Sequence, residues 1–192
     1  MQTFNRFFFR SLYKLPCFNF GTGPARLNHI TYKSTNPDAK LNLVILHGLF
    51  GAAQNFRSIV NNTKISQYAN CYLLDLRNHG ASEHRDTMTS AEMAEDVYYW
   101  IKQHKVDSKD LVIMGHSMGA RVTMAFATIY PDVPKGVIIV DFAPYNYTND
   151  PRFHTIKSNK EMIEKLAALK LEGEWNDIKK AISEVEIGRA HV

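Results

Sequence analysis

Gly115-His116-Ser117-Met118-Gly119 lies between a short apolar run, Leu111 to Met114 (LVIM), and a stretch rich in small residues that reads as a helix. A serine between two glycines at such a junction implies a sharp strand-to-helix turn. Side chains at the two flanking positions would collide there, which is why both are Gly. The turn lifts Ser117 Oγ clear of the sheet at the start of the helix, whose free N–H groups favour developing negative charge. Gly115, His116 and Gly119 then form the elbow, and Ser117 is the candidate nucleophile.

The rest of the chain supplies the sheet that such a turn needs. Leu41 to Leu46 (LNLVIL), Cys71 to Leu76 (CYLLDL), Leu111 to Met114 and Gly136 to Val140 (GVIIV) are too short for buried helices. They are rich in Val, Ile and Leu, as strands covered on both faces are. Helices are predicted over 54–67, over 90–105 and from Ser117 to about Tyr130, where Pro131 stops the last one. Thr89 and Glu92 form a capping-box pattern ahead of the second helix. Alternation of this kind predicts an α/β fold with a mostly parallel sheet flanked by helices. A further strand around 28–33 is expected at the edge, antiparallel. After Asp141 the strand pattern ends, and 158–185 reads as helical only.

His47-Gly48-Leu49-Phe50-Gly51 follows the run LNLVIL. Acyl transfer through a serine requires two backbone N–H donors aimed at the tetrahedral oxyanion. Met118, directly after Ser117, would supply one. The Gly-rich loop would supply the other, from Leu49 as first choice or Phe50 as second. His47, at a strand end next to Gly48, is read as a hydrogen-bonding residue that fixes the loop. His79, within Asp75-Leu76-Arg77-Asn78-His79-Gly80-Ala81-Ser82, is read as shaping a turn; its place ahead of Ser117 does not suit the chain order serine, acid, histidine.

Charge and cysteine usage narrow the partners. The 192 residues carry a net +4, from 23 Lys and Arg against 19 Asp and Glu. The excess sits at the front, where Arg6, Arg10, Lys14 and Arg26 precede any acid and stand among Phe4, Phe7, Phe8, Phe9, Leu12 and Tyr13. An acid-free, Arg-bearing, amphipathic N-terminus is the composition of a mitochondrial transit peptide, expected over 1–26 with the matrix as destination. Without it the balance is neutral, so nucleic acid is not an expected partner. No stretch approaches the ~18 consecutive apolar residues of a membrane span. Cys17 falls in the expected leader and Cys71 in an apolar run, which leaves no disulfide framework and no metal-type spacing.

HGLFG, DLRNHGAS, GHSMGA and VDFAP, in this order, resemble the α/β-hydrolase family over 27–157. Within it they look like the mitochondrial branch that includes abhydrolase domain-containing protein 11, the fungal ethanol acetyltransferases and small bacterial esterases. The resemblance implies a Ser-His-acid hydrolase of esters or thioesters that works through an acyl-enzyme and without a cofactor. A small-molecule ester or thioester would be the partner. Carried over by motif, Ser117 is the nucleophile, and Leu49 and Met118 form the oxyanion hole. Asp141, 24 residues after Ser117 at the end of GVIIVD, matches the triad acid of the acetyltransferase-like members. Other members carry the acid after a further strand, so that assignment stays open.

The triad also needs a histidine after the final strand. His154 follows Asp141 too closely. His191 lies in Glu186 to Val192 (EIGRAHV), which has no hydrophobic period and is expected to be a non-native tail. The resemblance thus implies about another hundred residues beyond a helical cap that begins over 158–185, and a chain inactive as given for want of that histidine. An alternative reading is a non-catalytic binding or stabilising partner with the same fold. A cofactor-free haloperoxidase or carbon–carbon hydrolase is a more remote one.

Overall fold

The apolar runs pair into one five-stranded sheet in the computed structural model. Its described residues are 23–62 and 64–144, with isolated positions 161, 164, 165, 168, 174 and 180. The strands are β1 (His29–Tyr32), β2 (Leu41–Leu46), β3 (Ala69–Leu74), β4 (Leu111–His116) and β5 (Gly136–Val140). Their spatial order is β1-β3-β2-β4-β5, with β1 antiparallel to β3 and every other pairing parallel. The edge position and direction expected for the first strand are therefore observed. A separate unit, Tyr145–Val192, is described only at isolated positions, where Ala168 N–H donates to Glu164 O at 3.1 Å. The expected cap over 158–185 lies mostly outside the described residues; residues 1–22 of the expected 1–26 leader, His154, His191 and the 186–192 tail lie outside them altogether.

Alternation along each strand sorts the core into two layers. Val44, Leu46, Leu74, Leu111 and Ile113 face α2 (Ser90–Gln103) and α3 (Met118–Ile129), where Val97, Trp100, Ile101, Val122 and Phe126 complete one cluster. Leu43, Ile45, Cys71 and Leu73 point the other way, onto Ala53 and Val60. Burial pushes the Cys71 thiol up to about 11, so it packs as a small apolar side chain and is not a nucleophile. The α2 capping box forms as predicted, with Glu92 N–H donating to Thr89 Oγ1 at 3.2 Å and Thr89 N–H donating to Glu92 Oε2 at 2.8 Å.

Four expectations are displaced. β3 runs over 69–74, because the next two N–H groups leave the ladder: Asp75 donates to Asn28 O at 3.0 Å and Leu76 to His47 Nε2 at 3.0 Å. The helix expected over 54–67 is broken into a 3-10 turn at Ala53–Phe56, α1 (Arg57–Asn62) and a second 3-10 turn at Lys64–Gln67. Asn55, Asn61 and Asn62 favour such breaks, since short amide side chains compete with the helix backbone for hydrogen bonds; Asn55 Oδ1 takes the Ala52 N–H at 2.6 Å. β5 is not covered on both faces: Val137, Ile138 and Val140 are exposed, as it is the edge strand among the described residues. Ala25, expected in the leader, is packed into the core, its N–H donating to Asp96 Oδ1 at 2.7 Å.

Candidate active site

Strand order alone brings the chemistry together. The chain leaves β2 for β3 on one side and then crosses to β4 on the other, which makes a switch point at the carboxyl ends of β2 and β4. Leu46 pairs with Gly115 and His116 with Val140. The loop after β2, the turn after β4 and Asp141 after β5 therefore emerge side by side.

Ser117 is the N-cap of α3, half-buried, with φ 51° and ψ −110°. That conformation is costly for a residue with a Cβ, on the order of 1–3 kcal/mol, and strain of this size concentrates at functional sites. Neighbouring atoms hold it: Ser117 N–H donates to Val140 O at 3.1 Å, and Ser117 O accepts from Ala120 N–H at 3.0 Å. Both flanking glycines are required by close approach. A Cβ at Gly115 would overlap the Gly119 carbonyl and Thr123 Oγ1, and one at Gly119 would overlap the carbonyls of Leu46 and His47. Gly119→Ala is therefore expected to cost about 3 kcal/mol, at the upper end for overpacking, because backbone must move. Denaturant unfolding checks this, and a loss under 0.5 kcal/mol, roughly the scale of a neutral surface change, would contradict it.

The 47–51 loop lies directly over this turn. A Cβ at Gly48 would stand 3.1 Å from His116 Nδ1 and 3.4 Å from Ser117 Cβ. Gly51 N–H donates to Gly48 O at 3.0 Å, and Phe50 has φ 60° while Leu49 does not enter the positive region. These are the dihedral signs of a type II turn, with an aromatic residue where Gly is usual. Among the described residues the N–H groups of Leu49, Phe50 and Met118 have no hydrogen-bond partner. Both loop candidates thus stand unpaired in the loop whose Gly48 meets Ser117, together with the N–H that follows Ser117.

His47 fixes this loop and does not reach for a substrate proton. It is 1% exposed, its Nδ1–H donates to Gly48 O at 2.8 Å, and its Nε2 accepts the Leu76 N–H at 3.0 Å. Both nitrogens are occupied and the ring is neutral. His79 shapes the neighbouring turn, its Nδ1–H donating to Arg77 O at 2.9 Å, with its ring 4.9 Å from that of His47.

Asp141 sits at the end of β5 with φ 56° and an exposed side chain. Its Oδ2 is 3.8 Å from Nε2 of His116, a pairing that no sequence pattern announced. Asp75 was also missed. It is 4% exposed and accepts three N–H bonds, from Ala53 at 2.7 Å, Ala81 at 3.0 Å and Asn28 Nδ2 at 2.8 Å. Burial opposes its charge, but these donors hold the carboxyl below its ordinary range. Gly80, left-handed at φ 53°, was the available signal, because a Cβ there would overlap the Asp75 carboxylate.

Burial sets a pH dependence. It lowers His47 below 6.5, against the Gly48 bond that raises it, and lowers His29 in the same direction with help from His104. Both groups take up protons more readily in the unfolded chain. Their contribution is complete above about 6.5 and is lost as pH falls toward the folded values. The melting temperature should be level from pH 8 to 7 and decline from 6.5 to 5; a level profile down to pH 5 would contradict this. Among the described residues no cluster of three or more His, Cys, Asp or Glu could hold a metal ion, and no helix is long and apolar enough to cross a membrane.

Comparison with known proteins points to the same fold. Residues 42–167 match the alpha/beta hydrolase fold family. A probable alcohol acetyltransferase of Saccharomyces cerevisiae is 35% identical over 128 residues, covering 66% of this chain and 35% of that protein. The sn-1-specific diacylglycerol lipase ABHD11 of Xenopus tropicalis is 39% identical over 102 residues, covering 53% of this chain and 31% of that protein. The chain thus spans about a third of the length of these curated relatives. Among solved structures, a marine microorganism esterase superposes with a TM-score of 0.72 at 32% identity, covering 85% of this chain and 60% of that one.

Proposed function

The chain belongs to the alpha/beta hydrolase fold family, and from that premise we propose that it is the nucleophile-bearing part of a serine hydrolase that cleaves carboxylic esters or thioesters through an acyl-enzyme. The observation that carries this reading is the strained Ser117, packed against Gly48 of a glycine-rich loop whose Leu49 and Phe50 N–H groups are unpaired, as is that of Met118. Ser117 Oγ attacks the acyl carbon, the carbonyl oxygen gathers negative charge, and the N–H groups of Met118 and Leu49 receive it. Asp141 serves as the acid that orients and stabilises a protonated histidine. Among the described residues Asp141 faces only His116, so the triad histidine is assigned to the part of the protein beyond them.

Water or an alcohol then releases the acyl group, and the relatives' names include both outcomes, lipase and acetyltransferase. With the full-length protein and a chromogenic acetyl ester, a burst of leaving group equal to the enzyme should precede a steady rate that ethanol accelerates. Absence of turnover with any acyl ester or thioester would sink the reading. For location, the acid-free basic leader supports import into mitochondria. Residues 1–26 fused to a reporter should carry it into the matrix, and a cytosolic reporter would refute this.

A further inference from the structure

Oxyanion donors act only if they are fixed before the substrate arrives, since misplacement by about 1 Å can cost ~10²-fold. Met118 is fixed by α3. The loop donor lies outside any helix: its segment leaves β2 after Leu46 and re-enters regular structure only at Ala53, with local bonds from Gly51 N–H to Gly48 O at 3.0 Å and from Ala52 N–H to the exposed Asn55 Oδ1 at 2.6 Å. The near end is locked by His47. At the far end the Ala53 N–H donates to Asp75 Oδ1 at 2.7 Å, while Oδ2 of the same carboxylate takes Ala81 N–H at 3.0 Å and Asn28 Nδ2 at 2.8 Å. One buried carboxylate thus ties three segments together, and only one of them leads to the loop.

We propose that Asp75 is a positioning residue for acyl transfer: its carboxylate anchors the far end of the 47–53 loop through the Ala53 N–H and sets where the loop's oxyanion donor stands over Ser117. The proposal rests on the reading of Ser117 as nucleophile. A carboxylate suits the task because it only accepts, and charge-assisted bonds are roughly twice as strong as neutral ones. An amide in its place has a single oxygen. Two donors converge on the Oδ2 side and one on the Oδ1 side, so the amide oxygen would turn to the pair and its NH2 would face the Ala53 N–H.

Three variants of the full-length protein separate this role from a merely structural one, with p-nitrophenyl acetate as substrate. Asp75→Asn breaks the anchor as described. Ala53→Pro removes the donor itself at a position whose backbone suits proline, since Ala52 is extended at φ −151° and ψ 167° and Ala53 opens a helical turn, although the ring must push the buried Asp75 carboxylate aside. Both should lose about 10–100-fold in kcat, with KM within about threefold of wild type. Asn28→Ala deletes a bond on the Oδ2 side and leaves the loop anchor, so it should keep wild-type kcat. Wild-type kcat in either of the first two variants would overturn the proposal. So would a loss in all three that merely tracks the folded fraction measured by melting. Failure of the underlying reading is separate, since it would show as turnover that survives Ser117→Ala.

Discussion

Ser117→Ala is expected to reduce ester turnover by about 10⁶-fold, the scale seen when a triad serine is removed and only the oxyanion donors remain. The residue stands on the turn that packs against Gly48 of the 47–51 loop. Stability should respond differently. Alanine keeps a Cβ at φ 51° and so keeps the strain. Ser117→Gly is equally inactive but adopts that conformation freely, and should be about 1 kcal/mol more stable than wild type after the entropic cost of glycine is subtracted. Urea unfolding of the two variants reads this difference. A glycine variant less stable than the alanine variant would mean that the turn is not strained.

The largest effect on folding is expected at Asp96→Ala, about 3–5 kcal/mol. Arg77 enters the core with 3% exposure, and its Nε and Nη2 meet the two Asp96 oxygens at 2.6 Å and 2.8 Å. Its remaining donors reach Thr87 O at 3.2 Å and Glu92 O at 3.3 Å, with Glu92 Oε1 at 3.4 Å. Deleting Asp96 leaves a buried guanidinium without its bidentate partner and strips the Ala25 N–H of its acceptor. A typical domain has only ~5–15 kcal/mol in total, so the variant should unfold at much lower denaturant. Replacing both members, Arg77→Met with Asp96→Leu, should recover part of the loss because no buried guanidinium is stranded, while Glu92 loses its ion pair and the Ala25 N–H still lacks its acceptor. A double variant as unstable as Asp96→Ala would contradict this account.

What was legible in the sequence was what is local. The runs at 41–46 and 136–140, the Thr89–Glu92 cap and the turn at Ser117 are each specified by residues within a few positions of one another, and each stands where it was expected. What escaped is long-range. β3 ends early because the Leu76 N–H is taken by a histidine 29 residues before it. Ala25 belongs to the core because Asp96, 71 residues later, accepts its N–H. Asp75 draws its partners from positions 28, 53 and 81, which no periodicity links. The pairing of His116 with Asp141 likewise depends on the register of β4 against β5.

The central claim is that Ser117 is an activated nucleophile beneath an oxyanion loop. Exposing the full-length protein to a fluorophosphonate probe, followed by peptide mass spectrometry, tests it most directly. One stoichiometric adduct on Ser117, absent in Ser117→Ala, is the expected result. A folded protein that takes up no probe, or takes it up at another residue, would contradict it.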